Sequence, residues 1–138
     1  MIWIGTFLSG LVSYDLNSGK LTNHDSEPFQ KFELQNGNIR KVIVDKDDNV
    51  WMGTRKGIYR YNQKKNEVVS FNAKIRDLSQ GVIADFIVFA LYEDSNNNIW
   101  VGTDGYGLFS YSAVEDAFTW HGKDLSLIHI SEPTRLRS

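Results

Sequence analysis

Apolar and polar residues alternate in short stretches along most of the chain, and one such stretch occurs three times. Its members are an apolar residue, Trp, a second apolar residue, Gly and Thr, and the copies cover residues 2–6, 50–54 and 99–103. The tryptophans of the copies are 48 and then 49 positions apart. A repeat of this period indicates a stack or ring of similar supersecondary units.

The second copy contains the full repeating unit. Its apolar stretches predict four strands, which cover residues 39–45, 50–52, 57–61 and 67–71. Asp48 and Asn49 lie between the first two strands, and they predict a two-residue hairpin turn because Asp and Asn tolerate left-handed backbone conformations. The unit is therefore predicted to be a four-stranded antiparallel meander.

The other two copies vary this plan. The first copy lacks the leading strand and predicts three strands, at residues 2–6, 10–15 and 20–23. In the third copy, residues 82–92 are apolar enough for a buried helix, but alignment on the tryptophans predicts a strand over residues 88–94.

Alignment on the tryptophans also relates the ends of the outer strands. It predicts that Phe71 and Trp120 occupy equivalent positions, and that His24 aligns with both. A packing or surface role is therefore expected for His24.

Sheets of this kind need neighbours on both faces. Residues 42–44 are β-branched with no polar face, as in a strand covered on both sides. Arranging such sheets around an axis covers both faces and gives a β-propeller. The predicted fold is all-β, a partial β-propeller of about two and a half four-stranded antiparallel blades.

The repeat also predicts the division of the chain. An incomplete blade covers residues 1–34, a complete blade 35–76 and a third blade 77–124. Residues 125–138 break the repeat, and residues 125–135 resemble the read-through translation of a transposon-type sequencing adapter. We therefore interpret residues 125–138 as a non-native tail that lies outside the predicted fold.

The repeated residues are predicted to have structural roles. Large indole rings fill the gap between neighbouring sheets, and glycines permit close approach of the backbones. Aspartates at the hairpins cap the turns. The residues assigned to this framework are Trp3, Trp51, Trp100, Gly53, Gly102, Asp45 and Asp94.

Composition narrows the classes of function. The 138 residues are 41% hydrophobic and 13% aromatic, which indicates a folded chain. A net charge of −2 argues against nucleic-acid binding. The absence of Cys excludes disulfides and Cys-based zinc sites. No stretch approaches the roughly 20 apolar residues of a membrane helix, so direct membrane contact is not expected of this segment.

Catalytic and metal-binding constellations are not evident in the sequence. The histidines are His24, His121 and His129, and the last lies in the tail. Asp45 and Asp94 invite a calcium interpretation, but an EF-hand loop needs a longer alternating set of oxygen ligands, so hairpin capping is favoured. We predict no enzymatic activity, no cofactor and no metal in this chain.

Residues 45–54 with 57–61, and residues 94–103 with 107–109, resemble the two-component regulator propeller repeat. The acidic residue, the turn, the Trp, the Gly-Thr pair and the following Gly recur in register, and the likeness covers residues 1–120. Asn49 and Asn98 depart from the pattern, since the family commonly has Gly there.

The resemblance implies a sensor rather than an enzyme. Such repeats form the extracytoplasmic, periplasmic sensor of membrane-anchored hybrid two-component histidine kinases. There, a propeller array recognises a carbohydrate fragment or similar signal, and a kinase and response regulator convert binding into transcription. The implied partners are an oligosaccharide or small-molecule ligand, the remaining propeller blades of the parent chain, and a second parent chain in a homodimer.

Candidate ligand-binding residues follow from topology. The loops after each second strand and the connections entering each blade emerge on one face of a propeller, and recognition residues are usually found on such loops. Tyr106 is suited to stacking on a sugar ring, and Arg55 and Asp104 to hydrogen bonds with hydroxyls or a uronate. Ordinary solvated loop residues are the alternative interpretation. The candidates are Arg55, Lys56, Asp104, Tyr106, Asn38 and Gln80.

Two other functions stay open at this point. A propeller enzyme, such as a polysaccharide or streptogramin-type lyase, would need acid and base residues converging on the pore. The strands expected to face the pore carry Val42, Val44, Phe89 and Leu91 but no His, which weakens that interpretation. A structural protein-interaction propeller is the third possibility.

Overall fold

The computed structural model describes residues 1–122, which form three antiparallel β-sheets in chain order. The predicted tail, residues 125–138, lies outside the described residues. The first sheet contains β1 (Ile2–Gly5), β2 (Leu11–Tyr14) and β3 (Leu21–Asn23). The second contains β4 (Ile39–Val44), β5 (Asn49–Thr54), β6 (Gly57–Asn62) and β7 (Glu67–Ser70). The third contains β8 (Val88–Glu93), β9 (Ile99–Thr103), β10 (Gly107–Ser112) and β11 (Ala117–Trp120).

Each sheet is a simple meander, because every strand pairs with the next strand in sequence. Within residues 1–122 the three sheets do not close a ring. The predicted all-β fold, a partial β-propeller, is confirmed, with one three-stranded sheet and two four-stranded sheets. The strand predicted over residues 88–94 is present as β8.

The second sheet is buried on both faces because the side chains of β5 alternate. Val50 and Met52 pack in a core with residues of the first sheet, including Leu11. Trp51 points the other way, into a core with Val101 and Phe109 of the third sheet. All of these β5 side chains are essentially inaccessible to solvent. Each pair of neighbouring sheets therefore has its own hydrophobic core.

The β4–β5 hairpin differs from the predicted two-residue turn. The Asp48 N–H donates to the Asp45 carbonyl at 3.0 Å, and the Asp45 N–H donates to the Asn49 carbonyl at 2.9 Å. Asp48 alone is left-handed, with φ of 64°, and Asn49 already belongs to β5. The loop is residues 46–48, because a type I turn followed by one left-handed residue forms a three-residue hairpin.

The predicted equivalence of Phe71 and Trp120 is wrong by one residue. The Phe71 N–H donates to the Ile58 carbonyl at 3.1 Å, and the matching bond in the third sheet runs from His121 to Leu108 at 2.8 Å. The β9–β10 loop is one residue longer than the β5–β6 loop, so counting from the tryptophan misplaces the third sheet. His24, Phe71 and His121 are therefore the equivalent residues.

The connections between sheets contain short helices that the sequence patterns do not predict. Two 3₁₀ turns, Gln30–Phe32 and Leu34–Asn36, precede β4. One α-helix, α1 (Asn72–Leu78), follows β7. Ile75 of α1 and the downstream residues Ile83 and Phe86 enter the core between the second and third sheets. The segment before β8 therefore packs against the sheets through these apolar residues.

Candidate ligand-binding cleft

The β5–β6 loop is held in one conformation by its own residues. Thr54 at the end of β5 donates its hydroxyl to the Gly57 carbonyl at 3.0 Å, and the same oxygen accepts the Lys56 N–H at 2.9 Å. Gly57 has φ of 117°, which side chains rarely permit. The turn therefore projects Arg55 and Lys56 into solvent, where both are exposed.

Asn72, at the start of α1, fastens this loop to the rest of the blade. Its Oδ1 accepts the Ile58 N–H at 3.0 Å, and its Nδ2 donates to the Lys56 carbonyl at 2.9 Å. The same Nδ2 donates to the Tyr59 hydroxyl at 3.2 Å. Burial raises the pKa of Tyr59, although the bond from Asn72 acts in the opposite direction. Tyr59 therefore stays a neutral phenol at neutral pH.

A cleft of about 440 Å³ opens between this loop and the two 3₁₀ turns. Ile39 pairs with Thr54, so the chain entering β4 and the chain leaving β5 meet at the same end of the sheet. Both segments contribute to the wall of the cleft. The lining residues are Lys31, Phe32, Glu33, Leu34, Gly37, Asn38, Thr54, Arg55, Lys56 and Tyr59.

The cleft combines aromatic rings with a positive rim. The rings of Phe32 and Tyr59 are 5.3 Å apart at their centroids and tilted by 49°. Lys31 extends over Phe32, with its Nζ 5.5 Å from the ring centroid. Lys31, Arg55 and Lys56 supply three cations against the single carboxylate of Glu33. Such a wall offers ring faces for stacking and donors for acidic or hydroxyl groups.

Three of the six predicted ligand-binding residues line this cleft, namely Asn38, Arg55 and Lys56. The other three are located elsewhere. Gln80 is a left-handed residue after α1, with φ of 56°, and its N–H donates to the Asp77 carbonyl. Gln80, Asp104 and Tyr106 are not among the lining residues of the cleft.

Asp104 and Tyr106 belong to the β9–β10 loop of the third sheet. The Asp104 N–H donates to the Ile87 carbonyl at 2.9 Å. Tyr106 packs against the core between the second and third sheets, and its carbonyl accepts the Trp120 indole N–H at 2.8 Å. This loop therefore contributes to packing as well as to the surface.

Sequence reasoning missed Lys31, Phe32, Glu33 and Tyr59. Residues 25–38 have the composition of a polar connection, so the 3₁₀ turns that aim Phe32 at Tyr59 were not expected. The available signal was the set of apolar residues in that connection, since Phe29 and Leu34 are both buried. Apolar residues in a connection indicate that it packs against a sheet, but they do not specify its backbone conformation.

The hairpin aspartates connect each turn to the indole of the same blade. Asp45 Oδ2 accepts the Trp51 indole N–H at 2.9 Å, and Asp94 Oδ2 accepts that of Trp100 at 2.8 Å. Burial acts to raise the pKa of Asp94, but the hydrogen bonds from Trp100, Asn98 and Asn96 together outweigh it and lower the pKa. Within residues 1–122, no cluster of three His, Cys, Asp or Glu residues is arranged to hold a metal ion.

Two serine–histidine pairs are packing elements of the outer strands. Ser13 Oγ lies 2.9 Å from His24 Nε2, and Ser110 Oγ lies 2.9 Å from His121 Nε2. Each imidazole stacks on the tryptophan of its own sheet, His24 on Trp3 at 5.1 Å. Their recurrence at equivalent positions in two sheets argues for a structural role, since a nucleophile and base would be needed only once.

The sheets, hairpins and interleaved tryptophans define the chain as a run of β-propeller blades. The family model described as "Two component regulator propeller" matches residues 33–56 and 81–105, which contain β4 with β5 and β8 with β9. These two segments therefore match the repeat of the two-component regulator propeller family, the family that the sequence resembles.

Solved structures agree with this assignment. The extracellular domain of BT4673 from B. thetaiotaomicron, described as a proposed one component system, is 30% identical over 86% of this chain with a TM-score of 0.68. A second structure of that domain, described as a proposed hybrid two component system, is 28% identical over 88% of the chain with a TM-score of 0.69. The chain spans 15% of the length of each.

One curated relative also supports this assignment. Histidine kinase P4 from Formosa agariphila is 33% identical over 58 residues, which is 42% of this chain and 4% of the kinase. Among residues 1–122, no helix has both the length and the apolar character to cross a membrane.

Proposed function

We propose that this chain forms part of the periplasmic sensor of a membrane-anchored bacterial two-component receptor, and that it binds a ligand without transforming it. Its propeller repeats, together with the similarity to extracellular domains of two-component systems, support this assignment. A kinase module elsewhere in the parent converts binding into a transcriptional response, with the parent acting as a homodimer.

The ligand we propose is a carbohydrate fragment that bears an acidic group. The observation that carries this proposal is the cleft in which Phe32 and Tyr59 adjoin Arg55 and Lys56. Aromatic faces stack on the apolar faces of sugar rings, while guanidinium and ammonium groups pair with a carboxylate. A neutral sugar would leave the positive rim without a matching charge.

Titration with oligosaccharides tests this function directly. The 138-residue chain is titrated by calorimetry with neutral oligosaccharides and with uronate oligosaccharides of equal length. We expect binding of the uronate series, and Arg55→Ala should weaken it about 10-fold or more, because a hydrogen bond to a charged group contributes roughly 1.5–3 kcal/mol.

A matched control comes from the opposite end of the same sheet. Lys65 is an exposed cation in the β6–β7 turn, outside the cleft, so Lys65→Ala should leave the affinity unchanged. Equal loss from both variants would mean that binding follows net charge rather than this cleft. Absence of binding to every acidic and neutral sugar would contradict the proposal.

A further inference from the structure

The orientation of the Asn72 amide is fixed by two backbone groups. Its Oδ1 accepts the Ile58 N–H at 3.0 Å, and its Nδ2 donates to the Lys56 carbonyl at 2.9 Å. Exchanging the two ends of the amide would place a donor against the N–H and an acceptor against the carbonyl, so only one orientation satisfies both bonds. The amide nitrogen therefore faces the Tyr59 hydroxyl, which lies 3.2 Å away.

This orientation sets the role of the Tyr59 hydroxyl. A phenol oxygen can accept hydrogen bonds and can donate one hydrogen of its own. Because the Asn72 nitrogen can only donate, the Tyr59 oxygen is the acceptor of their bond. Among residues 1–122, no group accepts the hydrogen of Tyr59 in return. Tyr59 is buried and lines the cleft, so its hydroxyl hydrogen is left for an acceptor that binds there.

Two other tyrosines of the third strands show the completed pattern. The Tyr111 oxygen accepts from Arg60 at 3.4 Å, and its hydrogen is donated to Asp116 at 2.6 Å. The Tyr61 hydroxyl donates to Asn66 Oδ1 at 3.1 Å. Neither tyrosine lines the cleft, and both donate their hydrogens within the chain. The tyrosine of the cleft differs from both in this respect.

The pair of Tyr59 and Asn72 occurs only in the sheet that forms the cleft. Tyr59 pairs with the residue after the tryptophan of its sheet, and Asn72 directly follows the matched residue at the end of the outer strand. The equivalent residues of the other two sheets are Val12 and Phe109 for the tyrosine, and Asp25 and Gly122 for the asparagine. Packing accounts for an apolar side chain at the first position, but not for a hydroxyl with its own amide partner.

From these contacts we infer that Tyr59 donates its hydroxyl hydrogen to the acidic group of the bound ligand, and that Asn72 positions it to do so. The inference rests on the proposed function, since the acceptor belongs to the ligand of the same cleft. Arg55 and Lys56 add N–H donors to this wall. A carboxylate only accepts hydrogen bonds, whereas a sugar hydroxyl also carries a hydrogen that needs an acceptor, so a wall of donors favours the carboxylate.

Calorimetric titration of the 138-residue chain with a uronate oligosaccharide tests the role of the hydroxyl. Tyr59→Phe removes the hydroxyl and keeps the ring that packs on Phe32, so it should weaken binding about 10-fold or more. Tyr61→Phe is the matched control, because that hydroxyl donates to Asn66 outside the cleft. The affinity of Tyr61→Phe should equal that of the unmodified chain.

Asn72→Asp tests the positioning, because it exchanges the amide nitrogen for an oxygen of nearly the same shape. The new carboxylate can accept the Tyr59 hydrogen, which is then no longer available to the ligand. Asn72→Asp also loses the bond to the Lys56 carbonyl, so binding should weaken more than about 10-fold. Adding Tyr59→Phe to Asn72→Asp should cost less than about 2-fold further, because the hydroxyl has already lost its role.

A measurement without ligand separates positioning from a merely structural role. Burial raises the pKa of Tyr59, the bond from Asn72 acts to lower it, and the charge of Asp85 acts to raise it. Asn72→Ala should therefore raise the pKa of Tyr59 further, as followed by carbon NMR of ring-labelled tyrosine. The pKa of Tyr61, which burial also raises, should not change in this variant.

The possible outcomes distinguish this inference from the proposed function. Absence of uronate binding by the unmodified chain would overturn both. Binding that is weakened by Arg55→Ala but unchanged in Tyr59→Phe would overturn the inference alone. The positioning role of Asn72 would be wrong if the losses from Tyr59→Phe and Asn72→Asp were additive, or if Asn72→Ala left the pKa of Tyr59 unchanged.

Discussion

The second and third sheets share the same hairpin chemistry but differ in what covers them. In each, an aspartate accepts an indole N–H, at 2.9 Å for Trp51 and 2.8 Å for Trp100. Each aspartate also accepts a backbone N–H at 2.9 Å, from Asn49 or Asn98. Yet Trp51 is 1% exposed and Trp100 is partly exposed. Hairpin geometry is encoded within a blade, whereas the complete burial of Trp51 also requires residues of the third sheet.

The largest expected effect is the loss of Trp51. Trp51→Ala should lower the free energy of unfolding by about 3–5 kcal/mol, because it leaves a cavity between two sheets. Trp100→Ala should cost only about 1–2 kcal/mol, since less of that ring is removed from water. Urea denaturation of both variants measures the difference. Equal losses would mean that the two indoles contribute equally to the free energy of unfolding.

The glycines give the next largest contrast. Gly53→Ala should cost about 1–3 kcal/mol, because the new methyl group would overlap Val88. Gly102→Ala should cost less, because its new methyl group would meet only the exposed Ala90, at 3.3 Å. A double-mutant cycle with Val88→Ala sharpens the test. If Val88→Ala does not recover part of the loss in Gly53→Ala, the close approach is not the cause.

Much of this fold is predictable from sequence because its determinants are local and repeated. The Trp-x-Gly-Thr stretch and the acidic turn before it recur at a fixed offset, so β5 and β9 can be located by alignment. The errors arise where a single residue changes the count. The longer β9–β10 loop shifts His121 into register with Phe71, and the left-handed Asp48 makes a three-residue loop.

The cleft was only partly predictable, because six of its ten lining residues come from the connection before β4, which has no strand pattern. Asn38, Arg55 and Lys56 follow from strand topology, since they flank paired strand ends. Phe32 reaches Tyr59 only because two 3₁₀ turns fold residues 30–36 back onto the sheet. Turns of this kind depend on tertiary contacts of Phe29 and Leu34, which have no periodic pattern.

A smaller effect is expected when the hairpin carboxylate of the third sheet is neutralised. Asp94→Asn should lower stability at neutral pH by about 1 kcal/mol, because a charge-assisted bond to Trp100 is weakened. The folded pKa of Asp94 lies below its ordinary value of 3.8, so its contribution is present above 3.8. That contribution is lost as the pH falls through the lowered pKa.

Unfolding measured as a function of pH tests this contribution. The gap between Asp94 and Asp94→Asn should be constant near neutrality and shrink in the acid range. Glu115→Gln, at an exposed residue of the β10–β11 turn, controls for the loss of one negative charge. A gap that persists unchanged at the acid end would show that the charge of Asp94 does not hold the hairpin.

The smallest expected effect concerns His24, whose imidazole lies between Trp3 of the first sheet and Tyr61 of the second. His24 stacks on Trp3 and lies near Phe29 and Tyr61, and burial lowers its pKa, with Asp25 acting in the opposite direction. A lowered folded pKa favours the neutral ring, so its stabilisation is complete above the ordinary value of 6.5 and is lost as the pH falls through the folded pKa.

The second sheet has Phe71 at the equivalent position, so His24→Phe should retain the stacking and remove this loss. The melting temperature should therefore fall less between pH 8 and about pH 5 for His24→Phe than for the unmodified chain. An equal fall in melting temperature for the two chains would contradict this prediction. It would mean that protonation of His24 does not weaken the interface between the first two sheets.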